Sequence, residues 1–399
     1  MKRSMHRLKG GRMPSAIWIM GWVSLFTDLS GQMIMPILPL YMTTVLHLQV
    51  AEVGIVEGVG ESVASLLKLY SGLLTDRLGK RKLFMGIGYG LSNLVKPFFA
   101  ISGTWTQVLL IRFADRFGKG IRVSPRDALI ADSASEEERG KAFGFRRAMD
   151  ALGAALGPLC AFGVLAFAEG NYRLVFWLSA VPGGLAMILL VVFLKDRGSR
   201  SPRDRVIGGA SRGVQRIGIR QWDRRFVMFT LVFSLFTAAN FSDAFLALQA
   251  QQVGMKPALI PLAYFAFNLV SSVSSMPVGA LSDRIGRRPV LITGLFLFAA
   301  IYFGFGMADT VAWIWILFVL YGLYYAFTDG IQKAYIADLV PEGRRGAAMG
   351  TFNACTGIAA LPASIWAGFA WQTLGSAAAF GISAGVAALA ALLILILKI

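Results

Sequence analysis

Histidine and cysteine are nearly absent, two of each in 399 residues. Cys160 and Cys355 both lie in apolar stretches with no CxxC spacing, so neither a disulfide framework nor thiolate ligation of a metal is expected. His6 and His47 fall outside every long apolar run, which removes the commonest general base and metal ligand from the interior. Acidic residues are also scarce, 22 Asp and Glu against 39 Lys and Arg. No glycine-rich phosphate loop of the Walker type occurs, so ATP hydrolysis is not indicated. An acyl or phosphoryl transferase would need a positioned nucleophile and base or a metal cluster, and the sequence offers neither; no enzyme and no metal site are expected.

Apolar residues are what the chain has in abundance, 56% of it, with only 15% charged, the composition of a polytopic membrane protein. A net charge of +17 would suggest nucleic acid in a soluble protein. Here the basic residues fall between apolar runs, where they orient helices, and no nucleic-acid partner is expected. A crossing needs about 20 mostly apolar residues. Candidates are 16–42, 52–74, 84–102, 105–125, 144–168, 172–194, 226–250, 258–280, 290–308, 311–335, 348–370 and 376–397. They must be helices, because an open backbone cannot satisfy its polar groups in lipid. The charged opening, residues 1–13, imitates a signal peptide. The run after it is long, holds Asp28 and Gln32 and lacks a small-residue cleavage pattern, so it is read as a retained first span.

Basic residues crowd alternate loops: Lys2, Arg3, Arg7, Lys9 and Arg12, then Arg77, Lys80, Arg81 and Lys82, then the whole 195–225 stretch. The intervening loops near 43–51, 103–104, 309–310 and 371–375 have none, and only Arg173 and Lys256 appear on that side. This asymmetry predicts a protein of the cytoplasmic membrane with both termini in the cytoplasm. The polar stretch 196–223 is read as a basic cytoplasmic linker near anionic headgroups, joining 1–195 to 224–399.

The two halves repeat each other. GLLTDRLGKRK, Gly72 to Lys82, reappears as GALSDRIGRRP, Gly279 to Pro289. ALIADSASEEERGKAFG at 128–144 matches AYIADLVPEGRRGAAMG at 334–350, and SLFT occurs at 24–27 and 234–237. Repeated six-span halves suit alternating access around a midplane site. The duplicated GxxxDRxGxR(R/K) resembles the cytoplasmic loop signature of the major facilitator superfamily. The segment SLFTDLSGQMIMPILPLYM (24–42) and the fourth span look similar to a poorly characterised prokaryotic branch of it. The resemblance implies an all-α membrane protein, twelve transmembrane helices in two pseudo-symmetric six-helix bundles. It also implies a monomer in the lipid bilayer that carries a small-molecule substrate.

The same resemblance implies a conformational latch. Its residues are Gly72, Asp76, Arg77, Gly79, Lys80, Arg81 and Asp132 in the first half, and Gly279, Asp283, Arg284, Gly286, Arg287, Arg288 and Asp338 in the second. In the family the motif aspartate, here Asp76, caps a helix end of the opposite half when the transporter faces outward. Lys80 stands at the family's arginine and is expected to pair with Asp132, as Arg287 is with Asp338. Gly153, Gly157 and Pro158 resemble the GxxxGP motif of antiporter branches, with Ala161 and Phe162 replacing its following glycines. The same small residues also permit close helix packing in any membrane protein.

The fourth span carries Arg112, Asp115, Arg116, Lys119, Arg122, Arg126 and Asp127. At 100° per residue these fall within about 140° of arc, so one helix face is charged and must look toward protein or water. Arg112 matches the superfamily's fourth-span arginine, linked in antiporters to proton coupling, although Arg116 replaces the glycine usual four residues on. Glu57, Glu61 and Lys68 share one face of the second span, and Asp28, Lys96 and Asp150 lie in spans one, three and five. Lys68, Lys96, Arg112, Arg116 and Lys119 balance Asp28, Glu57, Glu61, Asp115 and Asp150, which predicts a neutralised ion-pair network. The functional alternative is that Glu61 or Asp28 changes partner or protonation during transport. The second half has Tyr264, Asn268 and Ser275 where the first has Glu57, Glu61 and Lys68, and Tyr321, Gly322 and Tyr325 in place of Asp115, Arg116 and Lys119. Its few embedded charges are Asp243, Asp329 and Lys333. Asn268, Tyr321, Tyr325 and Asp329 therefore join the first-half charges as substrate or proton candidates. The expected activity is secondary transport of a small organic solute, with a proton as coupling ion and no other cofactor. Efflux of amphipathic compounds, uptake of an anionic metabolite or metal chelate, and a non-transporting sensor of the same fold are the readings left open.

Overall fold

The computed structural model describes residues 14–78, 81–134, 138–168, 170–194, 222–341 and 344–399, without the side chains of Leu69, residues 72–78 and Arg139. The described chain is almost wholly helical. The first set comprises α1 (Ser15–Ile34), α2 (Leu38–Thr44), α3 (Val50–Leu78), α4 (Arg81–Val95), α5 (Trp105–Ser133), α6 (Arg139–Phe167), α7 (Tyr172–Leu178) and α8 (Ala180–Ile188). The second comprises α9 (Arg224–Ala239), α10 (Ala244–Gln252), α11 (Ile260–Ile285), α12 (Arg287–Met307), α13 (Val311–Leu339), α14 (Arg345–Leu374) and α15 (Ser376–Leu397). The basic stretch 195–221 lies outside the described residues.

Local chemistry sets many of the ends. Thr104 caps α5 by accepting from the Gln107 amide at 3.4 Å, and Asp223 caps α9 by accepting from Arg225 N at 2.6 Å. A single residue, Gly286, links α11 to α12 at φ 93°, a backbone state that side-chain-bearing residues avoid. That requirement explains the second motif's glycine; Gly79, its counterpart, lies outside the described residues.

Among the described residues, nine helical segments are long and apolar enough to cross a membrane. The three remaining candidates are not among them: α3 and α5, 29 residues each, carry several charges, and α4, 15 residues, reaches a crossing's length only with the 3-10 turn Lys96–Ile101. At 1.5 Å per residue, a 29-residue helix such as α3 or α5 measures about 43 Å.

The two sets of helices meet along three seams: α3 on α14, α6 on α11, and α2 on α10. One hydrophobic core joins both sets at the end that carries the turns 45–49, 253–256 and 375, through Met33, Tyr41, Phe99, Phe241, Phe245 and Phe305, and within the second set continues to the other end at Phe226, Val290 and Ile394. A second core, around Met20, Met85, Tyr89, Ile130 and Leu190, belongs to the first set alone and occupies the other end. The molecule is thus sealed at one end. At the other, a cavity of 310 Å³ opens between α6, α11 and α13, lined by Arg147, Ser275, Asp283, Arg287, Tyr325 and Asp329.

Glycines make the seal tight. A Cβ on Gly54 would overlap the Ser364 carbonyl, and one on Gly58 or Gly368 would come within 2.9 Å of the facing backbone. Gln372 also donates to Gln49 Oε1 at 2.7 Å across the same seam. Gly54→Leu should therefore prise α3 from α14. Maleimide labelling of a cysteine placed at buried Ser364 should rise several-fold in that background; unchanged labelling would show that something else closes this end.

Candidate functional site

Two helical crossings are interrupted at matching places. The first breaks at residues 35–37, between α1 and α2, where Pro36 removes an amide donor. The other breaks at 240–243, between α9 and α10. Leu38 and Ala244, which open the second segments, are equivalent when the repeated 128–144 and 334–350 stretches are superposed. Breaks of this kind are tolerated at membrane depth only where protein or a polar cavity supplies partners. Around the second break side chains do so: Trp366 Nε1 donates to Ala238 O at 2.7 Å, Ser383 Oγ to Ala239 O at 2.7 Å, and the Ser242 amide to Ser364 Oγ at 3.1 Å. The Tyr264 hydroxyl donates to Asp243 O at 2.5 Å.

The first set presents charge to this region. Arg112 Nη2 lies 2.6 Å from Glu57 Oε2, both side chains being buried. Ser242 Oγ donates to the same Glu57 oxygen at 3.2 Å, so an ion pair of the first set is hydrogen-bonded to the broken crossing of the second. Arg116 Nη1 is 3.0 Å from Glu61 Oε1, and Arg116 Nε is 4.0 Å from Asp115, which also accepts from Ser92 Oγ at 2.6 Å. Glu61 is partly exposed and faces Arg116, Lys119, Arg112 and Lys68.

The balanced network expected from the sequence is less closed than the count of charges suggests. Among the described residues, no carboxylate lies within 4 Å of Lys68, Lys96 or Lys119, and no cation within 4 Å of Asp28. Asp150 pairs with Arg146 at 2.7 Å, a cation outside the expected five. Lys96 is satisfied by neutral oxygens instead: Asn93 Oδ1 at 3.0 Å, with Thr27 O and Ser30 Oγ each at 3.3 Å. Because Ser30 Oγ donates to Ser179 O, its lone pair is free to accept from Lys96. Three acceptors match the three N–H bonds of an ammonium.

The second set contributes one carboxylate and aromatic surface. Asp243 accepts from Tyr321 at 2.7 Å and from Tyr325 at 3.4 Å, with no cation within 4 Å among the described residues. Sequence reasoning noted Asp243 as embedded but did not select it; its place in the break is the missing signal. Tyr321 is fully buried and reaches Asp243 through its hydroxyl, whereas Tyr325 also lines the cavity. Asn268 donates to Ala154 O at 3.0 Å and so stitches the α6–α11 seam. Asp329 pairs with Lys333 at 2.8 Å near the open end.

The latch residues are only partly in view. The side chains of Gly72, Asp76, Arg77, Gly79 and Lys80 lie outside the described residues. Asp132 is met by Arg81, which also donates to Ala128 O at 3.3 Å; the expected partner Lys80 lies outside the described residues. Arg287 Nε lies 2.5 Å from Asp338 and its Nη2 3.4 Å from Asp283. Both ion pairs to the later helix span 51 positions, so the equivalence between halves slips by one residue between the loop motif and that helix. Arg284 is exposed, and Gly279 lines the cavity. Arg288 does something the sequence did not suggest: its Nη2 donates to Ile394 O and Leu395 O at 3.0 and 2.7 Å, capping the last turn of α15. Asp283 is 66% exposed and has no ion-pair partner from the first set among the described residues, in keeping with helices that stand apart at this end. Gly153 and Gly157 pack α6 against the backbone of α1 near Leu25 and Leu29, the general close-packing role.

Glu57→Gln should strand the buried Arg112 cation and cost about 3–5 kcal/mol, read as a lowered melting temperature in detergent. Adding Arg112→Gln should recover part of the loss, while Asp132→Asn, at an exposed pair, should change stability by about 0–1 kcal/mol. A Glu57→Gln variant as stable as the parent would remove the bridge from the account.

Relatives carry the argument from geometry to family. The profile of the Major Facilitator Superfamily matches residues 20–248 and 227–399. An uncharacterised MFS-type transporter of Methanocaldococcus jannaschii is 35% identical over 362 residues, covering 89% of this chain and 88% of its own. The quinolone resistance protein NorA of Staphylococcus aureus is 29% identical over 165 residues, 41% of each chain. The crystal structure of the nucleoside transporter NupG superposes with a TM-score of 0.76 at 14% identity, covering 97% of this chain and all of that one, a likeness of fold. With two profile matches spanning both sets of helices, the chain belongs to the Major Facilitator Superfamily and is a membrane transporter rather than an enzyme.

Proposed function

We propose that the protein is a proton-coupled secondary transporter that exports a small organic solute bearing an anionic group. In this reading α3, α4 and α5 also cross the membrane, giving twelve spans in two six-helix bundles, 1–195 and 224–399, joined by the basic linker 196–223. Basic loops at the open end argue for its facing the cytoplasm, with both termini there. The described conformation is then inward-facing, and transport consists of rocking the two bundles about the three seams. The Arg81–Asp132 and Arg287–Asp338 pairs brace the hinge loops, and Asp76 and Asp283 close the cytoplasmic end in the opposite state.

The observation that carries the anionic substrate is the pair of lysines, Lys68 and Lys119, that face Glu61 and, among the described residues, have no carboxylate within 4 Å. A cation left unpaired at this depth is costly, so a solute that supplies the negative charge gains binding energy there. Export is favoured over uptake by the similarity to NorA, whose name records drug resistance. Uptake of an anionic metabolite or chelate is the second reading, and it rests on the same lysines.

For the coupling proton the favoured site is Asp28 rather than Glu61. Arg116 already holds Glu61 in an ion pair, whereas Asp28 has no cation within 4 Å and faces a second carboxylate, Asp150. The other charges around them are Lys96, Lys119 and Arg126 near Asp28 and Arg146 on Asp150.

In proteoliposomes, an imposed pH gradient should drive flux of a solute first found by a thermal-shift screen of organic anions. Asp28→Asn should lose that response while solute exchange down its own gradient persists. A variant that still follows the pH gradient would move the proton to another carboxylate, and wild-type binding without flux would refute transport of that solute.

A further inference from the structure

We infer that the solute is a zwitterion, its ammonium group docking on Asp243 and its anionic end on Lys68 and Lys119. The inference rests on the cavity between the two sets being the transport site and names the class of solute that site takes.

Each set of helices carries, deeper than the lining of the open cavity, charge that has no opposite partner within 4 Å among the described residues. In the first set, Glu57 is engaged by Arg112 and Glu61 by Arg116, and among the described residues Lys68 and Lys119 have no carboxylate within 4 Å, although Asp28 also faces Lys119. In the second set Asp243 has hydroxyl donors but no cation within 4 Å among the described residues. An ionised carboxylate has about four lone-pair sites, and Tyr321 and Tyr325 occupy two. The carboxylates that face Asp243 from α3, Glu57 and Glu61, add negative potential there. The remaining titratable neighbours, Tyr264 on α11, Tyr302 on α12 and Tyr324 on α13, supply no positive charge.

The aromatic surroundings favour an organic ammonium over a bare metal ion. Phe267 lies 5.3 Å from Tyr321 and 5.1 Å from Tyr325, centroid to centroid, and the two tyrosines are 5.3 Å apart. Ring faces attract an organic cation, and a carboxylate beside them adds a charge-assisted hydrogen bond. A solute with only an anionic group would satisfy the lysines and leave Asp243 bare. A purely cationic one would be repelled by them. A molecule with both poles neutralises the charge of both sets and, while bound, links them through itself. Tyr325, which lines the 310 Å³ cavity and hydrogen-bonds Asp243, puts this subsite at the edge of the open space.

The test uses the full-length chain in detergent and a library of matched triads: an amino acid or dipeptide, its N-acetyl anion and its methyl-ester cation. Thermal shift and equilibrium binding should select zwitterionic members. Asp243→Asn should weaken these about tenfold, a loss of about 1.4 kcal/mol, and leave N-acetyl anions unaffected. Lys68→Gln with Lys119→Gln should weaken both. If the N-acetyl anions bind as tightly as their zwitterions, the ammonium subsite is wrong but the anionic transport site stands. If binding ignores both lysine substitutions, the transport-site reading fails with it, and absence of binding by every triad counts against both. Should Asp243→Asn melt early without ligand, the ranking of each triad on the unmodified chain decides alone.

Discussion

A charge taken into a low-dielectric interior must find its compensation there, and in this protein the Arg112–Glu57 pair meets that requirement at the point where the two sets of helices touch. Its geometry constrains much else. The stripes of α3 and α5 have to face one another, which turns their apolar sides outward; Leu110, on α5, is 62% exposed. The pair also accepts Ser242, so the interrupted crossing of the second set is held against the first by a hydrogen bond to an already committed carboxylate. A neutral pair at the seam can be approached and left by a hydroxyl at small cost, whereas a lone charge could not.

The two sets have solved the same packing problem with different chemistry. In the first, ion pairs and buried polar atoms fill the interior between α1, α3, α4, α5 and α6. In the second, aromatic rings do, with Phe241 touching Phe245, Tyr302, Trp366 and Phe380. An aromatic cluster is stiff and insensitive to protonation; a set of ion pairs can exchange partners. The two halves, which repeat each other in sequence, thus fill their interiors differently, one with charge and one with rings. The paired interruptions at 35–37 and 240–243 keep the common ancestry visible, and both lie beside the region where the halves meet.

Much of this was legible in the sequence, for identifiable reasons. The duplicated loop motif announced the family, and the apolar runs announced the helices, since both signals are local. The charged face of α5 followed from helical periodicity alone, and Arg112, Asp115 and Arg116 are indeed buried. What escaped was whatever depends on neutral partners or on register. Lys96 was counted against carboxylates, yet backbone and amide oxygens hold it, and a tally of charges cannot see those. The Arg81–Asp132 pair went unseen because the motif was aligned rigidly, whereas a one-residue slip between halves brings Arg81 to that aspartate. Asp243 was passed over because nothing in NFSD, unlike the proline-bearing MPILP of the first half, advertises a break. The candidate spans two to four differ from the rest in the charges they carry, which lowers the apolarity by which a crossing is recognised.

The lysine held by Thr27, Ser30 and Asn93 has one more implication. Every one of its partners belongs to the first set of helices, so in the rocking motion proposed above this positive charge travels within that set instead of being handed across. Its three acceptors match the three donors of an ammonium, not the flat fork of a guanidinium. Asp115, which feels its field, therefore works against a constant electrical background throughout the cycle. Any switching must come from groups nearer the seam.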